Sequence, residues 1–142
     1  MVKFRKMAQS DLIDVISIEK EAFGTESYDD FVTCISRPIY YYIVLEKDGE
    51  IIGYYGAMII GDECEILTIA VKKGFRRQGY GKSLLDNIID RAKAHKCKVL
   101  YLEVNENNNI ASSLYLKKGF VESYRRNGYY GKDDALILKL EL

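Results

Sequence analysis

A turn rich in glycine and arginine, Arg76-Arg77-Gln78-Gly79-Tyr80-Gly81-Lys82-Ser83, joins the apolar run EILTIAV, residues 65–71, to a segment with helical periodicity. The run is rich in β-branched residues and predicts a strand. After the turn, Leu84, Leu85, Ile88, Ile89 and Ala92 form one apolar stripe of a helix. The first N–H groups of that helix have no acceptor within it and point back at the turn. The helix dipole adds positive potential there, favouring an anion by roughly 0.3–2 kcal/mol. Arg76, Arg77 and Lys82 supply full charges, and the glycines let a ligand approach the main chain. The turn reads as a pyrophosphate cradle. Two nucleotide motifs fail on spacing. A P-loop has glycine where this chain has Arg76, and a dinucleotide fingerprint has its third glycine where this chain has Leu84.

The rest of the chain builds an α/β fold around that turn. Residues 2–5 predict a short strand. Ser10 is a candidate N-cap for a helix carrying Leu12, Val15, Ile16, Ala22 and Phe23, and Ser27 for a second short helix. Residues 42–46 and 51–60 are apolar runs separated by Lys47-Asp48-Gly49, a hairpin signal. Residues 99–104 predict a strand. Ile110, Ala111, Leu114 and Tyr115 mark a short helix that stops at Gly119, and residues 120–125 and 135–140 predict the last two strands. The order β-α-α-β-β-β-α-β-α-β-β predicts a mixed central β-sheet flanked by helices, with a right-handed βαβ unit over 65–104.

No linker or repeat divides the 142 residues, so one domain over 1–142 is expected. The net charge is zero, which gives no global attraction to nucleic acid. Cys34, Cys64 and Cys97 are scattered and odd in number, so neither a disulfide framework nor a metal site is expected. The opening MVKFRKMAQSDL has no signal-peptide run, and no stretch is long enough to span a bilayer. A cytoplasmic protein with no membrane partner is expected. The sequence leaves the oligomeric state open.

Arg76-x-x-Gly79-x-Gly81 resembles the acetyl-CoA loop of the GNAT superfamily of N-acetyltransferases, and EILTIAV resembles the strand before it. A second segment, LEVNENNNIASSLYLKKGF over 102–120, resembles the later half of the same fold. More narrowly it is similar to the ribosomal-protein alanine N-acetyltransferases and their archaeal relatives, through Glu103, Asn108, Tyr115, Gly119 and Phe120. The tail RRNGYYGKDDALIL over 125–138 resembles that group's closing hairpin. The resemblance implies a co-substrate, acetyl-CoA, and no metal. It implies binding of the coenzyme by Ile69, Ala70 and Val71, by Arg76, Arg77, Gln78, Gly79, Tyr80, Gly81, Lys82 and Ser83, and by Asn108.

The resemblance also assigns Glu103 as general base, Tyr115 as general acid, and Tyr129 and Tyr130 as acceptor contacts. Read from residues alone, Glu103 is a carboxylate in a strand expected to be buried on both faces, where it needs a partner or a task. Tyr115 on an apolar helix face is also compatible with a core tyrosine. Asn108 precedes the helix and suits an N-cap as well as a ligand contact. Tyr40-Tyr41-Tyr42 and Tyr54-Tyr55 read as strand residues with one ring in and one out. The resembled bacterial enzymes have Pro-Trp-Ser where this chain has Thr25-Glu26-Ser27, and Arg where it has Asn105; Gly128 looks inserted. These departures lie on the acceptor side. The expected acceptor is the N-terminal α-amino group of a protein. The alternative is a small amine: a polyamine, amino sugar or amino acid.

Overall fold

The computed structural model describes residues 1–24 and 28–142. The chain forms β1 (Val2–Lys6), a 3-10 turn (Gln9–Asp11), α1 (Leu12–Phe23), α2 (Tyr28–Ile35), β2 (Tyr40–Lys47), β3 (Glu50–Ile60) and β4 (Glu63–Val71). It continues with α3 (Tyr80–Ala94), β5 (Val99–Asn105), α4 (Asn109–Lys117), β6 (Val121–Tyr130) and β7 (Asp133–Glu141). The fold is the α/β fold expected, with a mixed seven-stranded sheet ordered β1-β2-β3-β4-β5-β7-β6. Asp48 and Gly49 take φ of 50° and 85°, the double left-handed turn that closes the β2–β3 hairpin.

The start of α1 differs from expectation. Ser10 is not its cap. Asp11 instead accepts from the Ala8 N–H at 2.7 Å and is gripped by Arg5 at 2.7 and 2.8 Å. Charge-assisted bonds outcompete a neutral hydroxyl, and they hold the Asp11 carboxyl below the usual range. Ser27, expected to cap α2, and Glu26 lie outside the described residues.

Both faces of the central strands are covered. Leu12, Val15 and Phe31 pack with Val44 and Tyr54 on one side. Leu84, Leu85 and Ile88 pack with Leu45, Tyr55 and Leu100 on the other. Tyr54 and Tyr55 therefore point to opposite faces and are both 0% exposed, where one ring was expected outside. The Tyr42 ring lies across Gly56, where an added Cβ would stand 2.5 Å from it. A side chain at Gly56 would cost about 1–3 kcal/mol in overpacking.

Two features of β4 position the site. It pairs with β5 in parallel only from Glu63↔Val99 to Ile66↔Leu102. On its other edge Gly56 faces Thr68 while Ala57 faces Ile66, so Leu67 is an extra residue. Such a bulge bends a strand and increases its twist. Beyond it, β4 leaves β5 and a gap opens between them. β5 is also not buried on both faces as expected. Leu100, Leu102 and Val104 enter the core while Tyr101, Glu103 and Asn105 alternate outward, because α1 and α2 pack on β2, β3 and β4.

Candidate active site

At the end of β4 the chain makes the glycine–arginine turn. Gly74, Arg77 and Gly79 all have positive φ, at 95°, 63° and 87°. Arg77 adopts this as a non-glycine residue, a sparsely populated state that clusters at ligand sites. The turn is braced from within: Arg76 Nε donates to the Val71 carbonyl at 3.0 Å, Gln78 to Gly74 at 3.1 Å, and Ser83 Oγ to Gly79 at 3.1 Å. The first helical bond of α3 runs from Ser83 N–H to the Gly79 carbonyl. Among the described residues, the main-chain N–H groups of 77–82 find no protein acceptor. Nothing lies within 4 Å of a Cβ built on Gly79, so there is open space beside the turn at that residue. Arg76 is held by Glu21 at 3.6 Å, whereas Arg77 and Lys82 have no ion pair among the described residues. Tyr80 packs near Phe75, with Lys47 Nζ 5.7 Å from its ring. The turn thus offers amides, two unpaired cations and a helix dipole to one anion.

The β4–β5 gap lies beside this turn, with α4 against the start of α3: Leu114 is 3.8 Å from a Cβ built on Gly81. Lys72 N–H donates to the Ile52 carbonyl of β3. Strand alternation then turns the N–H groups of Ile69 and Val71 the opposite way, into the gap. Ala70, between them, turns its methyl into the α1–α2 core. The gap widens into a cavity of about 440 Å³ whose lining includes Ile69, Glu103, Asn108, Tyr115, Tyr130 and Glu19. Tyr115 is 6% exposed, and burial pushes its hydroxyl up to about 12, so it stays protonated at neutral pH. Asn108 is the N-cap of α4, its Oδ1 accepting from the Ala111 N–H at 3.2 Å, and the residue also lines the cavity.

Glu103 stands where this cavity meets a second groove of about 470 Å³ along β4, β5 and β6. Its side chain is 30% exposed. The Tyr130 hydroxyl donates to Oε2 at 3.1 Å, and Arg126 Nη1 lies 3.5 Å from Oε1. The β6–β7 hairpin that brings both is tied down by polar bonds. Asn105 and Asn107 donate to Asp133 at 3.2 and 2.6 Å, and Glu106 accepts from the Asp134 N–H. Tyr129 packs edge-on against Tyr130 with centroids 5.1 Å apart, but does not line the cavity.

The structure therefore gathers Glu103, Tyr115, Asn108, Tyr130 and the Ile69 edge around one cavity, with the cradle next to it. Sequence reasoning passed over three residues there. Arg126 looks like half of a solvated Arg-Arg pair. Thr68 lies inside the strand run. Glu19 had a legible signal: it falls four residues after Val15, on the buried stripe of α1, where an acid is out of place.

The profile of the Acetyltransferase (GNAT) family matches residues 6–120. A Bacillus subtilis protein provisionally named ribosomal protein bS18-alanine N-acetyltransferase is 33% identical over 138 residues, covering 94% of this chain and 91% of that protein. The crystal structure of the Escherichia coli ribosomal-protein-S18-alanine N-acetyltransferase superposes with a TM-score of 0.92 at 29% identity, covering 99% of this chain and 94% of the other. The PaiA N-acetyltransferase of Thermoplasma acidophilum, solved with coenzyme A, shares the fold with a TM-score of 0.83 at 20% identity, covering 100% of this chain and 99% of that one.

Proposed function

The chain belongs to the GNAT acetyltransferase family and is an N-acetyltransferase, and from that premise we propose that it carries the acetyl group of acetyl-CoA to the N-terminal α-amino group of a protein, of the ribosomal-protein class. Residues 1–142 act as one domain in this reading, in the cytoplasm. The observation that carries it is a single cavity where Glu103, Tyr115 and the unpaired edge of β4 converge beside an open anion cradle.

The cradle fits coenzyme A: the free amides of 77–82, Arg77 and Lys82 hold the pyrophosphate. The gap takes the thioester, whose carbonyl oxygen is polarised by the N–H groups of Ile69 and Val71. An amine must be neutral to attack. An α-amino group titrates near 8 against about 10.4 for lysine, so a carboxylate removes its proton more readily. Glu103 takes that proton, directly or through a water. Nitrogen then bonds to the acyl carbon, the C–S bond breaks, and the sulfur leaves as a thiolate. A thiol titrates near 8.5, so outright transfer from a phenol near 12 is uphill. Tyr115 acts by donating a hydrogen bond that stabilises the departing sulfur, and the proton released by the amine completes the thiol. Positioning the two substrates supplies much of the remaining acceleration.

The open clefts on both sides of Glu103 suit a chain that continues beyond its first residue, which supports a peptide acceptor over a compact amine. Release of free thiol from acetyl-CoA should be seen with short peptides bearing a free N-terminus and not with N-blocked peptides. Turnover confined to polyamines, amino sugars or free amino acids would overturn the assignment.

A further inference from the structure

The hairpin's grip on Glu103 depends on an irregularity in β6. Arg126 pairs with Ala135 and Tyr130 with Asp133, so residues 127–129 stand opposite Asp134 alone. Residues four apart in a regular strand lie about 13 Å apart. The slip gathers Arg126 and Tyr130 so that both reach one carboxylate, one on each oxygen. Gly128, at φ 62°, turns the slip, and its N–H donates to Asp134 at 2.7 Å. Arg126 is steadied over the Tyr129 ring at 5.3 Å.

The electrostatic setting gives this grip a purpose. The titratable groups facing Glu103 come from every neighbouring element. Glu63 and Glu65 on β4 line the groove, and Glu19 on α1, itself partnered, lines the cavity. Tyr101 on β5, Tyr115 on α4, and Tyr124 and Tyr130 on β6 also line the two clefts; β7 sets the apolar Ile137 opposite Glu103, with Lys139 opposite Tyr101 and held by Glu141 at 3.9 Å. Arg126 is the sole cation in either lining among the described residues. The surrounding acids repel the Glu103 carboxylate and Arg126 attracts it, so the guanidinium sets which way it turns.

We propose that Arg126 and Tyr130 are positioning residues for Glu103: the slipped hairpin holds one carboxylate oxygen with each, and so fixes the direction in which the remaining lone pairs face the acceptor amine. This rests on the reading of Glu103 as general base. A carboxylate accepts about four hydrogen bonds, so lone pairs remain for the amine or a bridging water. Removing either partner frees the carboxylate to turn, so the productive orientation is populated for less of the time and turnover falls while coenzyme binding is untouched.

The test uses the full chain with Arg126→Gln, Arg126→Lys, Tyr130→Phe and Glu103→Gln. Proteins labelled with 13C at the glutamate carboxyl are compared by NMR at pH 7, the Glu103 signal being the one absent from Glu103→Gln. The expected result is a shifted and broadened Glu103 signal in Arg126→Gln, recovered in part in Arg126→Lys, and a smaller change in Tyr130→Phe. Arg126→Gln and Tyr130→Phe should each lower kcat for a peptide about 3–10-fold with coenzyme affinity unchanged, and Arg126→Lys should regain most of the loss. An unmoved Glu103 signal and an unchanged kcat in a folded Arg126→Gln protein overturn the proposal. Full activity of Glu103→Gln overturns the base reading instead, whatever the carboxyl signal shows.

Discussion

Between β4 and α3 the groups offered to a ligand are main-chain amides, those of 77–82 and the outward N–H groups of Ile69 and Val71. Across the gap, around Glu103, they are side chains brought from α1, β5, α4 and β6. The difference teaches which changes each side tolerates. A main-chain site survives most substitutions that keep its backbone dihedrals, and fails where a glycine or a helix start is lost. A side-chain site fails when any single member is removed, because each lone pair has one intended partner.

The largest expected effect lies on the acceptor side. Glu103→Gln should lower kcat/KM for a peptide acceptor about 10²–10⁴-fold, while calorimetry finds the affinity for coenzyme A unchanged; joint loss of both would dissolve the distinction between the two sides. Next, Tyr115→Phe should lower kcat by roughly 10²-fold with little change in acceptor KM, read by steady-state kinetics.

The donor side should respond in the opposite variable. Gly79→Ala places a side chain at φ 87°, which costs on the order of 1–3 kcal/mol where the backbone must hold. Coenzyme affinity should weaken about 10-fold or more by titration, with acceptor KM untouched. Because the space around Gly79 is open, an effect of this size comes from the dihedral and not from a clash. Arg77→Gln and Lys82→Gln should each weaken coenzyme binding by only about 2–5-fold, an effect that shrinks as salt is raised.

The smallest signal is in pH dependence. Burial raises the Tyr115 hydroxyl, so its neutral, donating form persists as pH rises and is lost only near 12. The rate should climb as the α-amino group loses its proton near pH 8, and show no alkaline fall below about pH 10. An alkaline limb that appears in the wild type and vanishes in Tyr115→Phe would show that the phenol titrates far lower than its burial implies.

The ease of reading the two sides from sequence follows the same division. The cradle is contiguous, so its glycines, arginines and following helical stripe announce it within a few residues of chain. The caps of α1 and the fate of Tyr54 and Tyr55 were misread because they depend on partners remote in sequence: Arg5 reaching Asp11, and helices covering both faces of β3. The reason that singled out Glu103, a carboxylate in a strand buried on both faces, does not hold, since its strand is covered on one face and the carboxylate is partly exposed.

The order of elements, the β2–β3 hairpin and the anion turn are set by local periodicity and by residues that alone tolerate the dihedrals required. Only the folded chain decides that β4 parts from β5 after Ile66, and that a slip between Arg126 and Tyr130 brings both to Glu103. Those outcomes turn on register, and register is a relation between strands that no single stretch of sequence contains.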